Sequence, residues 1–157
     1  MMMRGIPAPR AKQRYIITDA AREGREHGVP LGRIVDPLGE PVKRAFALFP
    51  AANAIGLGME FVTAYLNAAW FEGIDITKER GLKQVAANAG LDWQELLQAS
   101  QSDDWQAILD SNLQVLTQEN LWGVPSFRVS GGKIAQPYAC WGQDRIWRVA
   151  NEIVKRA

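Results

Sequence analysis

The sequence predicts a mostly helical α/β chain that ends in a β-hairpin and one more helix. Three observations carry this. Apolar residues recur at spacings of three and four through most of the first 120 positions, which is helical periodicity. Strand-type alternation arises only afterwards, where Phe127 and Val129 stand between polar neighbours and Gly131-Gly132 follows as a two-residue turn signal. The last fifteen positions return to helical spacing.

Residues 1–9 contain two prolines and a glycine, so no regular element is expected there. Residues 11–27 are rich in helix formers and stop at Gly28, a glycine cap followed by Val29-Pro30. Residues 31–41 are dense in Gly and Pro and read as an irregular connector, with a new helix starting near Pro41. From Ile55, the series Ile55, Met59, Val62, Leu66 and Ala69 marks one face of a long helix as core-facing. Residues 79–89 carry Leu82, Val85, Ala86 and Ala89 on one side, and Gly90 ends that helix. Asp92, with Glu95 three residues on, forms a capping-box pattern opening a short helix with Leu96 and Leu97 inside. Trp105, Ile108, Leu109, Leu113 and Leu116 make a further stripe on a helix running to about Asn120.

The hairpin is expected to pair residues 126–130 with residues 133–137 across the Gly131-Gly132 turn. A final helix from about Gln143 is expected to bury Ile146, Trp147, Ala150, Ile153 and Val154. Two strands form a marginal sheet, and a bare hairpin leaves an open edge. A homodimer or another strand-supplying partner is therefore expected, or an N-terminal part that lies outside this sequence.

Composition narrows the function. At 157 residues, 47% hydrophobic and 22% charged, the chain suits one globular domain. Eighteen basic side chains against seventeen acidic give no charge excess to draw it to nucleic acid or to an anionic membrane. Cys140 is the only cysteine and His27 the only histidine, so the chain alone cannot build a C-x-x-C pair or a multi-cysteine zinc site, and no metal is expected. The first twelve residues lack the apolar core of a signal peptide, and nowhere do about 18 apolar residues run together. A cytoplasmic location without membrane attachment is the expectation.

The segment Trp122 to Arg145, WGVPSFRVSGGKIAQPYACWGQDR, carries the functional signal. A Val-Pro step stands at the mouth of the first strand, at Gly123-Val124-Pro125. Trp141-Gly142-Gln143-Asp144-Arg145 resembles the W/F-G-Q-D-R signature of 2-hydroxychromene-2-carboxylate isomerases, and Lys12 and Tyr15 match the K-x-x-Y near the start of their second helix. Asp75-Ile76 and Ala89-Gly90-Leu91-Asp92 are similar to their helical insertion. The sequence thus resembles the family of these isomerases and the kappa-class glutathione transferases. The similarity spans essentially the whole chain, with specific motifs in the last forty or so residues.

That resemblance implies a thioredoxin-like fold of the DsbA/kappa type in a single domain over 1–157. It implies an all-helical insertion at about 41–120 and a C-terminal β-β-α at about 124–157, with the first strand and catalytic turn absent from this sequence. It implies glutathione as cofactor, a small aromatic substrate, and glutathione-dependent isomerisation in aromatic-compound catabolism. Val124 and Pro125, joined by a cis peptide, would meet the cysteinyl unit of the tripeptide, and Gln143 and Asp144 its γ-glutamyl end. Lys12 would reach the glycyl carboxylate. The family's thiolate-stabilising serine has no counterpart here, so the catalytic residue is unassigned and the stand-alone chain is expected to be weak or inactive. Two alternatives are a DsbA-family thiol oxidoreductase, whose chemistry needs two cysteines, and a non-catalytic glutathione-binding fragment.

Each residue also has a plainer role. An acidic residue opening a helix offsets the positive end of the helix dipole, worth roughly 0.3–1 kcal/mol. Pro125 at the first position of a strand is tolerated on backbone grounds. Lys12 reads equally as a solvated helix lysine, Tyr15 as core, and Cys140 as a buried inert thiol. Trp70, Trp122 and Trp141 are the candidates for lining an aromatic pocket.

Overall fold

A computed structural model describes residues 8–29, 31–35, 40–102 and 104–157. The expectations for residues 1–7 and for Pro30, and part of the 31–41 connector, lie outside the described residues. Seven α-helices occur among those described: α1 Arg10–Glu26, α2 Glu40–Ala54, α3 Gly58–Trp70, α4 Glu79–Asn88, α5 Trp93–Ala99, α6 Asp104–Gln118 and α7 Ile146–Arg156. Between α6 and α7 lie strands β1 Ser126–Val129 and β2 Tyr138–Trp141, then a 3-10 turn, Gln143–Arg145. The mostly helical class with a late hairpin and closing helix is therefore the observed one. None of the described helices is long and apolar enough to cross a membrane.

The chain forms two compact units, residues 1–105 and 106–157. The first is built on α2 to α5, whose inner faces meet in one core: Leu48 and Ala52 from α2, Phe61, Ala64 and Ala68 from α3, Leu82, Val85 and Ala86 from α4, and Leu96 from α5. Burying a side chain such as Leu82 or Val85 contributes about 1.5–3 kcal/mol. The predicted inner face of α4 is the real one. At α5 the Asp92 carboxylate accepts the Glu95 backbone N–H at 2.9 Å, the first half of the expected capping box.

The face chosen for α3 is the observed one only at Ala69, which is buried, and Val62, which is half-buried. Ile55 and Met59 are exposed, as is Leu66, while Phe61, Ala64, Ala68 and Ala69 are buried. This helix is apolar on more than one side, and the small residues win the inner position. Alanines at 64 and 68 let α2 and α4 approach, whereas the longer Met59 and Leu66 would hold them apart. The connector is irregular as expected, yet tied down: Gly32 N–H donates to Trp70 C=O at 3.0 Å and Val35 N–H to Ala69 C=O at 2.8 Å. The close approach demands glycine, because a Cβ on Gly32 would stand 2.0 Å from the Phe71 carbonyl oxygen. Helix α1 buries no side chain, and Tyr15, expected in the core, is exposed.

In the second unit β1 and β2 are antiparallel, with Ser126 opposite Trp141 and Val129 opposite Tyr138. The return strand therefore begins at Tyr138 rather than at Lys133, and the tight Gly131-Gly132 turn is replaced by a longer connection. The cause lies at the other end of the unit. Arg156, 6% exposed, donates from its guanidinium to the carbonyls of Ile134 and Gln136, both at 2.9 Å. Its own carbonyl accepts the Lys133 N–H at 3.1 Å. Residues 133–136 spend their polar groups on the end of α7 instead of on β1. Gly132 permits this, since a Cβ there would stand 2.1 Å from the Arg156 carbonyl oxygen.

The predicted buried face of α7 is likewise exposed: Ile146, Trp147, Ala150, Ile153 and Val154 are all accessible, and Arg156 is the buried residue of the helix. Helix α6 also buries nothing, and Ile108, Leu109 and Leu113 remain exposed. Periodicity identifies an amphipathic face but not whether anything covers it.

Candidate functional site

Four of the five residues singled out for ligand binding lie together in the second unit. The Val124-Pro125 peptide is cis, as the resemblance implied. Val124 is 85% exposed. Among the described residues its main-chain N–H and C=O have no hydrogen-bond partner, so this exposed residue leaves one donor and one acceptor free before β1. Water satisfies them at no penalty, and an extended peptide could replace that water.

The next step connects this segment to the motif at the end of β2. The Pro125 carbonyl accepts the Gly142 N–H at 2.9 Å. Gly142 has φ +107°, and a Cβ there would stand 2.4 Å from Asp144 Oδ1. The backbone angle favours glycine here, and the Asp144 carboxylate occupies the space that a side chain would take. Gln143 and Asp144 form the 3-10 turn leading into α7, so the expectation that they open a regular helix is corrected by one turn. Arg145 N–H is satisfied by the Gly142 carbonyl, while the N–H groups of Gln143 and Asp144 have no backbone partner among the described residues. The exposed Asp144 carboxylate is paired with the guanidinium of Arg145. Its negative charge is therefore shared before any ligand arrives.

An aromatic pair flanks the Val-Pro step. Trp122 and Trp141 pack against each other with ring centroids 4.5 Å apart and their planes tilted by 35°. Gly123 is pressed against them, because a Cβ there would stand 2.5 Å from Trp141 Nε1. Ser126 Oγ donates to the Gly123 carbonyl at 2.6 Å and closes the turn before β1. Two of the three tryptophans named as pocket candidates thus meet, and Trp70 sits at the end of α3 in the first unit.

Lys12 lies on α1 in the first unit with its side chain exposed. His27 caps α1, and its Nε2 is 3.8 Å from Glu23 Oε2. Cys140, expected to be buried and with nothing basic within two residues of it in the sequence, is only partly buried. Its neighbour across one residue is Tyr138, and Arg148 of α7 reaches the same place. Burial pushes the Tyr138 phenol above its ordinary value near 10, the Cys140 sulfur adds to that, and the Arg148 guanidinium opposes it. Sequence reading could not foresee this cluster, since Arg148 is eight positions from Cys140 and on another element.

The comparisons agree with this architecture. Residues 3–154 match the DsbA-like thioredoxin domain. A search of curated proteins found no match. Among solved structures, the chain resembles the crystal structure of a "putative protein disulfide isomerase" from Nitrosomonas europaea, with TM-score 0.66 and 16% identity over 96% of this chain and 78% of that one. At that identity the likeness speaks for the fold alone. The match over nearly the whole sequence places the chain in a family: it belongs to the DsbA-like thioredoxin domains.

Proposed function

We propose that this chain is a glutathione-binding member of the DsbA-like thioredoxin family, on the branch of the 2-hydroxychromene-2-carboxylate isomerases and kappa-class transferases. One observation carries the reading: Val124 offers a free backbone donor and acceptor beside the cis proline, and a hydrogen bond from Gly142 to Pro125 fastens that step to the Asp144 turn. The γ-glutamyl-cysteinyl part of glutathione has matching chemistry. Its cysteinyl N–H and C=O complement Val124, its α-carboxylate suits the free N–H groups of Gln143 and Asp144, and its α-ammonium suits the Asp144 carboxylate. The reaction of this branch would be thiolate addition to a conjugated substrate, rotation about the former double bond, and elimination that returns glutathione. The exposed Trp122-Trp141 pair would offer an aromatic substrate a stacking surface.

The thiol-oxidoreductase reading is favoured by the family match. It requires a dithiol that cycles with a disulfide, and these 157 residues contain one cysteine.

The deciding experiment is calorimetric titration of glutathione into the unaltered chain and into Asp144→Asn. We expect binding in the first and about tenfold weaker binding in the second, equivalent to about 1.4 kcal/mol, with thermal stability nearly unchanged. Equal affinity in the two would overturn the role of Asp144, and no binding to either would overturn the function.

A further inference from the structure

Helices α2, α4 and α5 border a cavity of about 260 Å³ that lies wholly within the first unit. Its lining is divided by chemistry. Leu48 and Leu82, buried side chains of the core, and Leu97, half-buried on α5, make the inner part aliphatic. Arg44 of α2 and Glu79 of α4, both exposed, place a charge of each sign at the rim.

The two rim charges are not equivalent. Glu79 pairs with Lys83 at 2.8 Å. That hydrogen bond and the Lys83 charge hold its carboxyl below the ordinary value, with Arg44 contributing least. The guanidinium of Arg44 makes no hydrogen bond or ion pair among the described residues. The negative charge is thus answered and the positive one is not. Trp93, also in the lining, packs against the core with Lys83 Nζ 5.9 Å from its ring centroid. Its indole N–H is buried without an acceptor among the described residues, a deficit that an acceptor in the cavity would relieve.

We propose that this cavity is a binding site for a medium-chain aliphatic carboxylate, held with its carboxylate on Arg44 and its alkyl chain among Leu48, Leu82 and Leu97. An unpaired guanidinium selects an anion, and a carboxylate matches its planar fork. The leucines select a hydrocarbon. A chain suits them better than a ring, because Trp93 is already engaged by the core and Lys83 and offers little of its face for stacking. Volume sets the length: at roughly 30 Å³ for each water-sized group, the cavity of about 260 Å³ holds about eight such groups, as in octanoate. It falls below the roughly 300–1,000 Å³ of sites for larger ligands, which excludes a nucleotide or a peptide.

The test is calorimetric titration of octanoate into the full chain without glutathione, so its outcome is separate from that of the glutathione proposal. Saturable binding at one site per chain is expected. Hexanoate should bind about sixteenfold more weakly, since each buried methylene is worth roughly fourfold in affinity. Arg44→Gln, a change at an exposed residue, should weaken octanoate about tenfold and leave the affinity of neutral octanamide unchanged. Ala47 lines the cavity and is half-buried, so Ala47→Leu should fill the space and abolish binding, with an unchanged far-UV spectrum showing that it folds. A second measurement needs no substitution in the bound protein. Of the six tryptophan indole N–H signals in a nitrogen-proton correlation spectrum, that of Trp93, identified by its loss in Trp93→Phe, should move as octanoate is added. No saturable binding, equal affinity for octanoate and hexanoate, full octanoate affinity in Arg44→Gln, or a stationary Trp93 signal at saturation would each overturn the proposal.

Discussion

The N–H of Gly142 donates to the carbonyl of Pro125 at 2.9 Å, and through this bond the two sequence motifs of the chain become one surface. Pro125 immediately precedes the first strand and Gly142 follows the second, so the hairpin brings together residues seventeen positions apart. The free backbone of Val124 and the carboxylate of Asp144 are held in a fixed relation as a result. Neither could meet one small ligand on an open chain.

Replacing Gly142 with alanine should uncouple that relation. Its φ of +107° is a region L-residues rarely adopt, and the new Cβ would collide with Asp144 Oδ1. Strain of this kind costs about 1–3 kcal/mol. The expected result is a lower melting temperature and loss of glutathione binding in the same variant, read by calorimetry. Gly131→Ala also has a positive φ but has nothing near its Cβ, and it should lose stability while retaining binding.

Arg156 should matter more than its place beside the C-terminus suggests. Arg156→Met keeps the length of the side chain but removes both guanidinium bonds to Ile134 and Gln136. Hydrogen bonds from a charged donor contribute about 1.5–3 kcal/mol each, and part of that is recovered because the buried charge leaves as well. We expect destabilisation of about 2 kcal/mol in urea unfolding. Hydrogen exchange should speed up at Lys133, whose N–H depends on the Arg156 carbonyl.

Tyr138 should give the second unit a pH dependence at the alkaline end. Its phenol is held above the ordinary value of 10.0, so the folded chain binds that proton more tightly than the unfolded chain does. The stabilisation is present in full below about pH 10 and is lost as the pH rises through the higher folded value. Tyr138→Phe should therefore flatten the alkaline limb of a stability-against-pH curve while leaving the neutral region nearly level. An unchanged alkaline slope would exclude Tyr138 as its source.

The core of the first unit offers the largest single loss. Leu82 is 2% exposed among Leu48, Phe61 and Val85, and Leu82→Ala should cost about 2–5 kcal/mol. Asp92→Ala removes only the cap on α5 and should cost about 1 kcal/mol. Chemical denaturation of both variants should rank them in that order.

Much of this was legible in the sequence, because it depends on local chemistry. The boundaries of α1 and α4, the Asp92 cap, the glycine stop at Gly28 and the Val124-Pro125 and Gln143-Asp144 motifs follow from residues within a turn of each other. The errors have one physical origin. At α3 the sequence offers two apolar faces, and only the packing distance to α2 and α4 selects the one with alanines. At the hairpin, Gly131-Gly132 is a sound turn signal that is overruled by Arg156, twenty-four positions later, whose guanidinium captures the backbone that would have formed the return strand. At α7 the amphipathic pattern is real, but an amphipathic face need not be covered within the chain that carries it. The sequence by itself determined which segments are helical, where the strands begin to appear, and where the Val124-Pro125 and Gln143-Asp144 motifs stand. Only the tertiary structure decided which faces are inside, where β2 starts and how Pro125 meets Gly142, because these depend on contacts between distant residues that no local pattern encodes.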